Sequence, residues 1–164
     1  MIPKIIMKEQ EAMDKAGHYL ELTEHMINFT FKAVNNPKLM IPMIENLFLS
    51  MANSMTAILH YERKKGNIPS FNENYEAKYI IFMQKCTERL TINKKLIQTM
   101  NELKNIIIER QKAHTEFQRG NSWVICSTNY NMKVISINDI KEYWETAKKF
   151  KEIATGIVNG RIII

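Results

Sequence analysis

The stretch KLMIPMIENLFLSMANSMTAILHYERKK, residues 38–65, decides the fold of this chain. Its apolar side chains recur in steps of three and four, which places them on one face of an α-helix: they are Met40, Ile44, Leu47, Met51, Met55, Ile58 and Leu59. Gly66 and Pro69 follow at positions that commonly end a helix. Because one amphipathic helix must bury its apolar face against others, the stretch predicts a helical bundle.

Three further segments carry the same helical spacing. Residues 8–34 predict a first helix, and residues 75–114 carry a long helical pattern. The hydrophobic phase of the long pattern drifts near Thr91, which leaves open one continuous helix or two helices joined by a kink. Ser136 or Asn138 is expected to cap a last helix.

Residues 120–136 have a different character and predict a small β-hairpin. Two β-prone runs, Trp123–Cys126 and Met132–Ile135, are separated by the five-residue loop Ser127–Asn131. The expected fold class is therefore all-α: an antiparallel up-and-down helical bundle of four to five helices, with a β-hairpin insertion before the last helix. The absence of an internal repeat and of a low-complexity tract predicts one domain over residues 1–164.

Composition limits the class of protein. A chain of 164 residues with 45% apolar and 24% charged residues is typical of a globular domain that needs no structural metal. Cys86 and Cys126 belong to no motif, which predicts reduced thiols and a cytoplasmic location. No segment has the length of a membrane span, and no signal peptide is expected. We expect the terminal run Arg161–Ile164 to dock on the bundle or on an oligomer partner.

The end of the long helical pattern carries the candidate site. Its apolar stripe runs through Leu96, Met100, Leu103 and Ile107. Arg110 and His114 occupy the next two positions, where the two side chains of a continuous helix would share one face. Arginine grips phosphate and histidine moves protons near neutral pH, so the pair predicts cleavage of RNA by its own 2′-hydroxyl. The alternative is structural, since both residue types are also favoured in the last turn of a helix.

A polar, uncharged strip lies along the second helix. Asn46, Asn53 and His60 recur every seven residues, and Ser50 lies on the same strip. Such a strip can satisfy buried hydrogen bonds and orient a catalytic histidine, or it can fix the register of packed helices. Both interpretations stay open at this point.

Other types of site have weaker signals. His18, Glu21 and His25 could supply metal ligands from one helix, but the Glu-x-x-His signature is absent and no second such helix exists, so no metal is expected. The absence of a phosphate-binding glycine loop, a nucleophile elbow and zinc-finger spacing predicts no cofactor. The net charge of +6 is compatible with a polyanionic partner, although solvated lysine-rich helices are also common in enzymes.

Several runs taken together resemble the HEPN superfamily, and in particular small archaeal HEPN-like proteins. These runs are Leu47-Phe48-Leu49, Ala57-Ile58-Leu59-His60-Tyr61, the Arg110…His114 pair, Lys112-Ala113-His114, Glu116-Phe117 and Trp123-Val124-Ile125-Cys126. The resemblance covers roughly residues 8–158. Three residues separate Arg110 from His114 in this chain, fewer than in the family pattern.

The resemblance implies an RNA-binding protein with metal-independent endoribonuclease activity of the toxin type. It would be a homodimer paired with a nucleotidyltransferase-type antitoxin. Arg110 and His114 would be catalytic, and Arg119 and Lys112 would contact RNA. Asn53 and His60 would contact the catalytic residues and hold them in position without touching the RNA. Two alternatives remain: a non-catalytic helical interaction or oligomerisation module, and a bundle that binds a small ligand.

Overall fold

The computed structural model describes residues 7–127 and 131–160. The helices are α1 (Lys8–His25), α2 (Phe31–Val34), α3 (Met40–Lys64), α4 (Tyr75–Lys85), α5 (Lys94–Lys112) and α6 (Ile137–Val158). The strands are β1 (Thr115–Arg119), β2 (Ser122–Cys126) and β3 (Met132–Ile135). The predicted helical bundle with a small β insertion before the last helix is confirmed.

Helix α3 lies at the centre of the bundle and packs against α1, α4, α5 and α6. The predicted apolar face is the core of the protein: Met40, Ile44, Leu47, Met51, Met55, Ile58 and Leu59 are all at most 1% exposed. Burying each such side chain stabilises the fold by about 1.5–3 kcal/mol relative to leaving it in water. The periodic stretch therefore both forms the helix and holds the other helices around it.

The predicted first helix contains a π-helical turn. After α1 the chain continues through π-helical Met26–Thr30 into α2, and Asn35 ends the run in the left-handed conformation with φ 51°. A π turn accommodates an extra residue in a helix. Ile27 within this turn and Phe31 just after it are buried in the core, while Phe29 between them is 63% exposed.

The long pattern over residues 75–114 is two helices, which decides between the two alternatives. Thr91 adopts a left-handed φ of 54° between α4 and α5. The side chain of Asn93 then caps α5 by accepting a hydrogen bond of 2.8 Å from the backbone N–H of Lys95. Helix α5 ends at Lys112, so the expectation that His114 lies on this helix is wrong.

The β insertion has three strands where the sequence predicted two. Strands β1, β2 and β3 form an antiparallel sheet in that order, and the first strand was missed. Gly120, at φ 61°, lies in the tight turn between β1 and β2. Part of the predicted loop between β2 and β3, residues 128–130, lies outside the described residues. Ser136 caps α6 with a capping box to Asp139, which confirms one of the two predicted caps.

Both cysteines are free thiols, as expected; Cys86 is buried and Cys126 is partly buried. Within the described residues, none of the helices combines the length and the apolar character that a membrane crossing requires. The expectation that Arg161–Ile164 docks on the bundle concerns residues outside the described part of the chain.

Candidate functional site

The guanidinium group of Arg110 is engaged within the protein. Its Nε donates to Oε2 of Glu116 at 2.9 Å, and its Nη2 donates to Oε1 of the same carboxylate at 3.1 Å. The indole Nε1 of Trp123 lies 3.5 Å from that carboxylate. This two-pronged pair ties the last turn of α5 to strand β1, and it occupies the donors that were expected to grip phosphate.

His114 lies beyond the end of α5. Ala113 is extended, with ψ 137°, and ends the helix just before it. The imidazole is therefore exposed on the connection between α5 and β1 instead of lying one helical turn above Arg110. The premise that Arg110 and His114 share a helix face is wrong, because the helix stops two residues too early for it.

Three exposed basic or titratable side chains lie along the end of α5 and strand β1. Lys112 belongs to the last turn of α5, His114 follows it, and Arg119 ends β1; all three are exposed. Within the described part of the chain, none of the three takes part in a side-chain hydrogen bond or an ion pair. Their side-chain nitrogens are therefore open to an external anion. We call Lys112, His114 and Arg119 the basic edge.

Asn53 and His60 lie on a different cavity. It has a volume of about 300 Å³ and opens between α1, the second half of α3 and the start of α4. Neither Arg110 nor His114 is among the described residues that line it. The structure thus brings Asn53 and His60 together, but it does not place them behind the predicted catalytic pair.

The remaining residues of the polar strip serve packing. The Ser50 hydroxyl is buried and donates to the backbone carbonyl of Ala16 at 2.9 Å. The Asn46 amide lies 3.8 Å from the sulfur of Met26. Both contacts join α3 to the α1 segment, which favours the interpretation that this part of the strip fixes helix register.

His60 is 6% exposed and has a charged neighbour on each side of its ring. Its Nδ1 lies 3.4 Å from Nη2 of Arg63, and its Nε2 lies 3.6 Å from Oε1 of Glu73. The Phe71 ring packs against the imidazole at 5.2 Å between centroids, and the Arg63 guanidinium stands over the same ring at 4.9 Å. The imidazole is thus held in one orientation.

Burial lowers the pKa of His60 below its usual value, and the positive charge of Arg63 lowers it further, whereas the carboxylate of Glu73 opposes both effects. The pKa of Glu73 is also lowered: the burial that would raise it is outweighed by His60 and Lys78. At neutral pH the favoured state is therefore a neutral imidazole beside an ionised carboxylate.

The lowered pKa predicts how stability depends on pH. Below the unfolded-state pKa of about 6.5, the unfolded chain binds a proton at His60 that the folded protein resists. The free energy of unfolding should therefore fall as pH drops through this window. We expect urea unfolding at about pH 7.5 and pH 5.5 to show a smaller loss of stability in His60→Gln than in the parent. His18→Gln, at an exposed histidine on α1, is the control and should behave like the parent; equal losses in all three proteins would contradict the prediction.

The candidate metal ligands of α1 do not form a centre. His18, Glu21 and His25 are exposed, and His25 stacks on Phe29 at 5.0 Å between ring centroids. Among the described residues, no group of three or more His, Cys, Asp or Glu side chains is arranged to hold a metal ion.

No sequence signal pointed to the lysines that line the cavity of Asn53 and His60, which we call the His60 cavity. Lys8 and Lys15 come from α1 and Lys78 comes from α4, so only the packing of the helices brings them together. Comparison of the chain with family models, curated proteins and solved structures returns no match. The HEPN resemblance therefore depends on the runs of sequence that carry it.

Proposed function

We propose that this chain is an RNA-binding protein of the HEPN-like type that acts in the cytoplasm, and that the basic edge contacts the phosphate backbone. The observation that carries the proposal is the exposure of Lys112, His114 and Arg119 along the end of α5 and strand β1, with none of the three in an ion pair within the described residues. The net charge of +6 adds a general attraction for a polyanion.

The proposal includes metal-independent cleavage with His114 as the proton-transfer group. In this reaction the 2′-oxygen attacks phosphorus, a 2′,3′-cyclic phosphate forms and the bond to the 5′-oxygen breaks. His114 takes the proton of the 2′-hydroxyl. We further propose a homodimer, in which His114 of the second copy protonates the leaving oxygen, and a nucleotidyltransferase-type antitoxin as the regulating partner.

Arg110 takes a positioning role in this proposal. Its Nε and Nη2 must leave Glu116 before they can hold a phosphate in a two-pronged contact, because both nitrogens donate to that carboxylate. While the pair is intact, it fixes the direction in which β1 leaves α5 and so fixes the spacing of the basic edge. Lys112 and Arg119 then supply the phosphate contacts.

Salt dependence of RNA binding tests the proposal. Each phosphate contact to a single strand contributes about 0.7 to the slope of log affinity against log salt, so Lys112→Gln/Arg119→Gln should reduce that slope by about 1.4. The matched control is Lys32→Gln/Lys85→Gln, which removes the same charge from exposed positions on α2 and α4. Fluorescence anisotropy with a labelled single-stranded RNA measures both. No binding by the parent, or equal slopes for the two double variants, would refute this use of the basic edge.

A second candidate function, the non-catalytic interaction or oligomerisation module, is favoured by exposed apolar side chains. Leu22, Phe29 and Leu49 are 40%, 63% and 37% exposed. Isolated exposed apolar residues are ordinary, but side chains of this size on helices α1 and α3 and the intervening π turn are also typical of contact surfaces. If the parent protein does not bind RNA in the salt-dependence experiment, the interaction or oligomerisation module becomes the better candidate.

A further inference from the structure

The His60 cavity is a polar pocket with an excess of positive charge. Three ammonium groups line it, from Lys8, Lys15 and Lys78, against the two carboxylates of Glu11 and Glu73. The Glu11 carboxylate is matched by Lys15 at 3.4 Å, and both of these side chains are more than half exposed. The cavity volume of about 300 Å³ suits a small ligand.

The hydrogen-bonding state of His60 gives the cavity a buried donor. A guanidinium group can only donate, so the contact between Arg63 and Nδ1 requires Nδ1 to accept. The proton of the neutral ring is then on Nε2, the nitrogen that faces Glu73. A buried N–H directed at a carboxylate is equally suited to the oxygen of another anion.

The Glu73 carboxylate occupies the position that such an anion would take. Its two oxygens lie 3.6 Å from Nε2 of His60 and 3.4 Å from Nζ of Lys78. The Lys78 side chain is 15% exposed, whereas the Glu73 side chain is 56% exposed and stands just before α4 begins. The donors are thus held in place, while the carboxylate between them is free to move out into solvent.

Two oxygens on α3 add acceptors to the lining. The Asn53 amide nitrogen donates to the carbonyl of Leu49, and the Thr56 hydroxyl donates to the carbonyl of Ala52. Asn53 Oδ1 and the lone pairs of Thr56 Oγ1 remain available on residues that line the cavity. They match hydroxyl groups on a ligand whose charged end meets the cations.

We propose that this cavity binds the phosphate group of a small hydroxylated phosphomonoester, which displaces the Glu73 carboxylate from between His60 and Lys78. The start of α4 adds the positive end of a helix dipole beside Lys78. The proposal is independent of the basic edge, because the two sites share no residue.

Calorimetric titration with inorganic phosphate and with glycerol phosphate tests this site. Glu73→Gln removes the competing carboxylate charge and should tighten binding about fivefold, the size expected for one partly exposed ion pair. Lys78→Gln should weaken binding by about the same factor. Because the two substitutions act in opposite directions, a general folding defect cannot imitate the result. Lys94→Gln, at the exposed start of α5, should leave binding unchanged.

The same assay separates a free phosphomonoester from an RNA backbone. A short RNA with a hydroxyl group at both its 5′ and its 3′ end offers only phosphodiesters, and we expect it not to displace glycerol phosphate. Efficient competition by this RNA would overturn the assignment to a small ligand. The absence of phosphate binding by the parent, or weaker binding by Glu73→Gln, would overturn the site itself. In contrast, Lys112→Gln/Arg119→Gln, which should weaken RNA binding, should leave the opposite effects of Glu73→Gln and Lys78→Gln on glycerol phosphate binding in place, so failure here and failure of the RNA proposal can be distinguished.

Discussion

His114→Ala is expected to lower the rate of RNA cleavage in EDTA by about 10²–10⁴-fold, the usual contribution of one general acid or base. The reason is that the imidazole of His114 is the exposed titratable group of the basic edge, and no described side chain engages it. Denaturing gel electrophoresis of an end-labelled single-stranded RNA measures the rate. The product should carry a 2′,3′-cyclic phosphate, since the attacking oxygen comes from the RNA itself.

The matched control for this experiment is His18→Ala, which removes an exposed imidazole from α1, at the other end of the chain. Its cleavage rate should equal that of the parent. Glu116→Gln adds a second arm: it weakens the pair that holds Arg110, and we expect it to alter RNA affinity without abolishing cleavage. Cleavage that persists in His114→Ala, or that is absent from the parent in EDTA, would remove His114 from the reaction.

Arg89→Met is expected to destabilise the protein by roughly 2–3 kcal/mol, because it strands a buried charge. The Glu62 side chain is 3% exposed and accepts hydrogen bonds from Arg89 and, at 2.8 Å, from the amide of Asn67. Without Arg89 the carboxylate keeps only the neutral amide. Since the Arg89 side chain is itself 44% exposed, we expect a loss below the full range for a completely buried pair.

A double variant separates two contributions to this loss: the attraction between Arg89 and Glu62, and the cost of leaving the Glu62 carboxylate buried without a partner. Glu62→Met/Arg89→Met removes both charges and should be more stable than Arg89→Met alone, because no carboxylate is left unpaired in the core. Lys85→Met is the control for removing an exposed cation nearby in the sequence and should change stability by less than about 0.5 kcal/mol. Urea unfolding curves of the parent and the three variants give the free energies of unfolding. If Arg89→Met changed the free energy of unfolding as little as this control, the ion pair between Arg89 and Glu62 would not stabilise the fold.

The fold was readable from the sequence wherever one physical signal dominated. Helix α3 was predicted because burial of one face imposes a helical period on its apolar residues, and that period is visible in the sequence. Strand β1 was missed because TEFQR carries one apolar side chain, Phe117, and lies at the edge of the sheet. No residue of this strand is fully buried, so its sequence lacks the alternation of apolar and polar residues that marks a strand with one buried face. The end of α5 was missed because Ala113 is a good helix former and gives no stop signal.

The candidate sites divide in the same way. Asn53 and His60 were singled out because polar residues on an otherwise apolar helix are unusual, and both line a cavity. Lys8 and Lys78 were not, because a lysine on a helix is ordinarily solvated. Their proximity depends on how α1 and α4 pack on α3, and sequence spacing within one helix carries no information on it.

At the π turn Met26–Thr30, packing in the core and contact with solvent are met by different residues. At most helix positions one side chain must meet both. In a regular helix, a change of residue on the border of the core face disturbs both the packing inside and the surface outside. Here Phe29 is exposed, whereas Ile27 and Phe31 are buried in the core. A substitution at Phe29 should therefore change the surface of the protein while the packing of Ile27 and Phe31 in the core is kept.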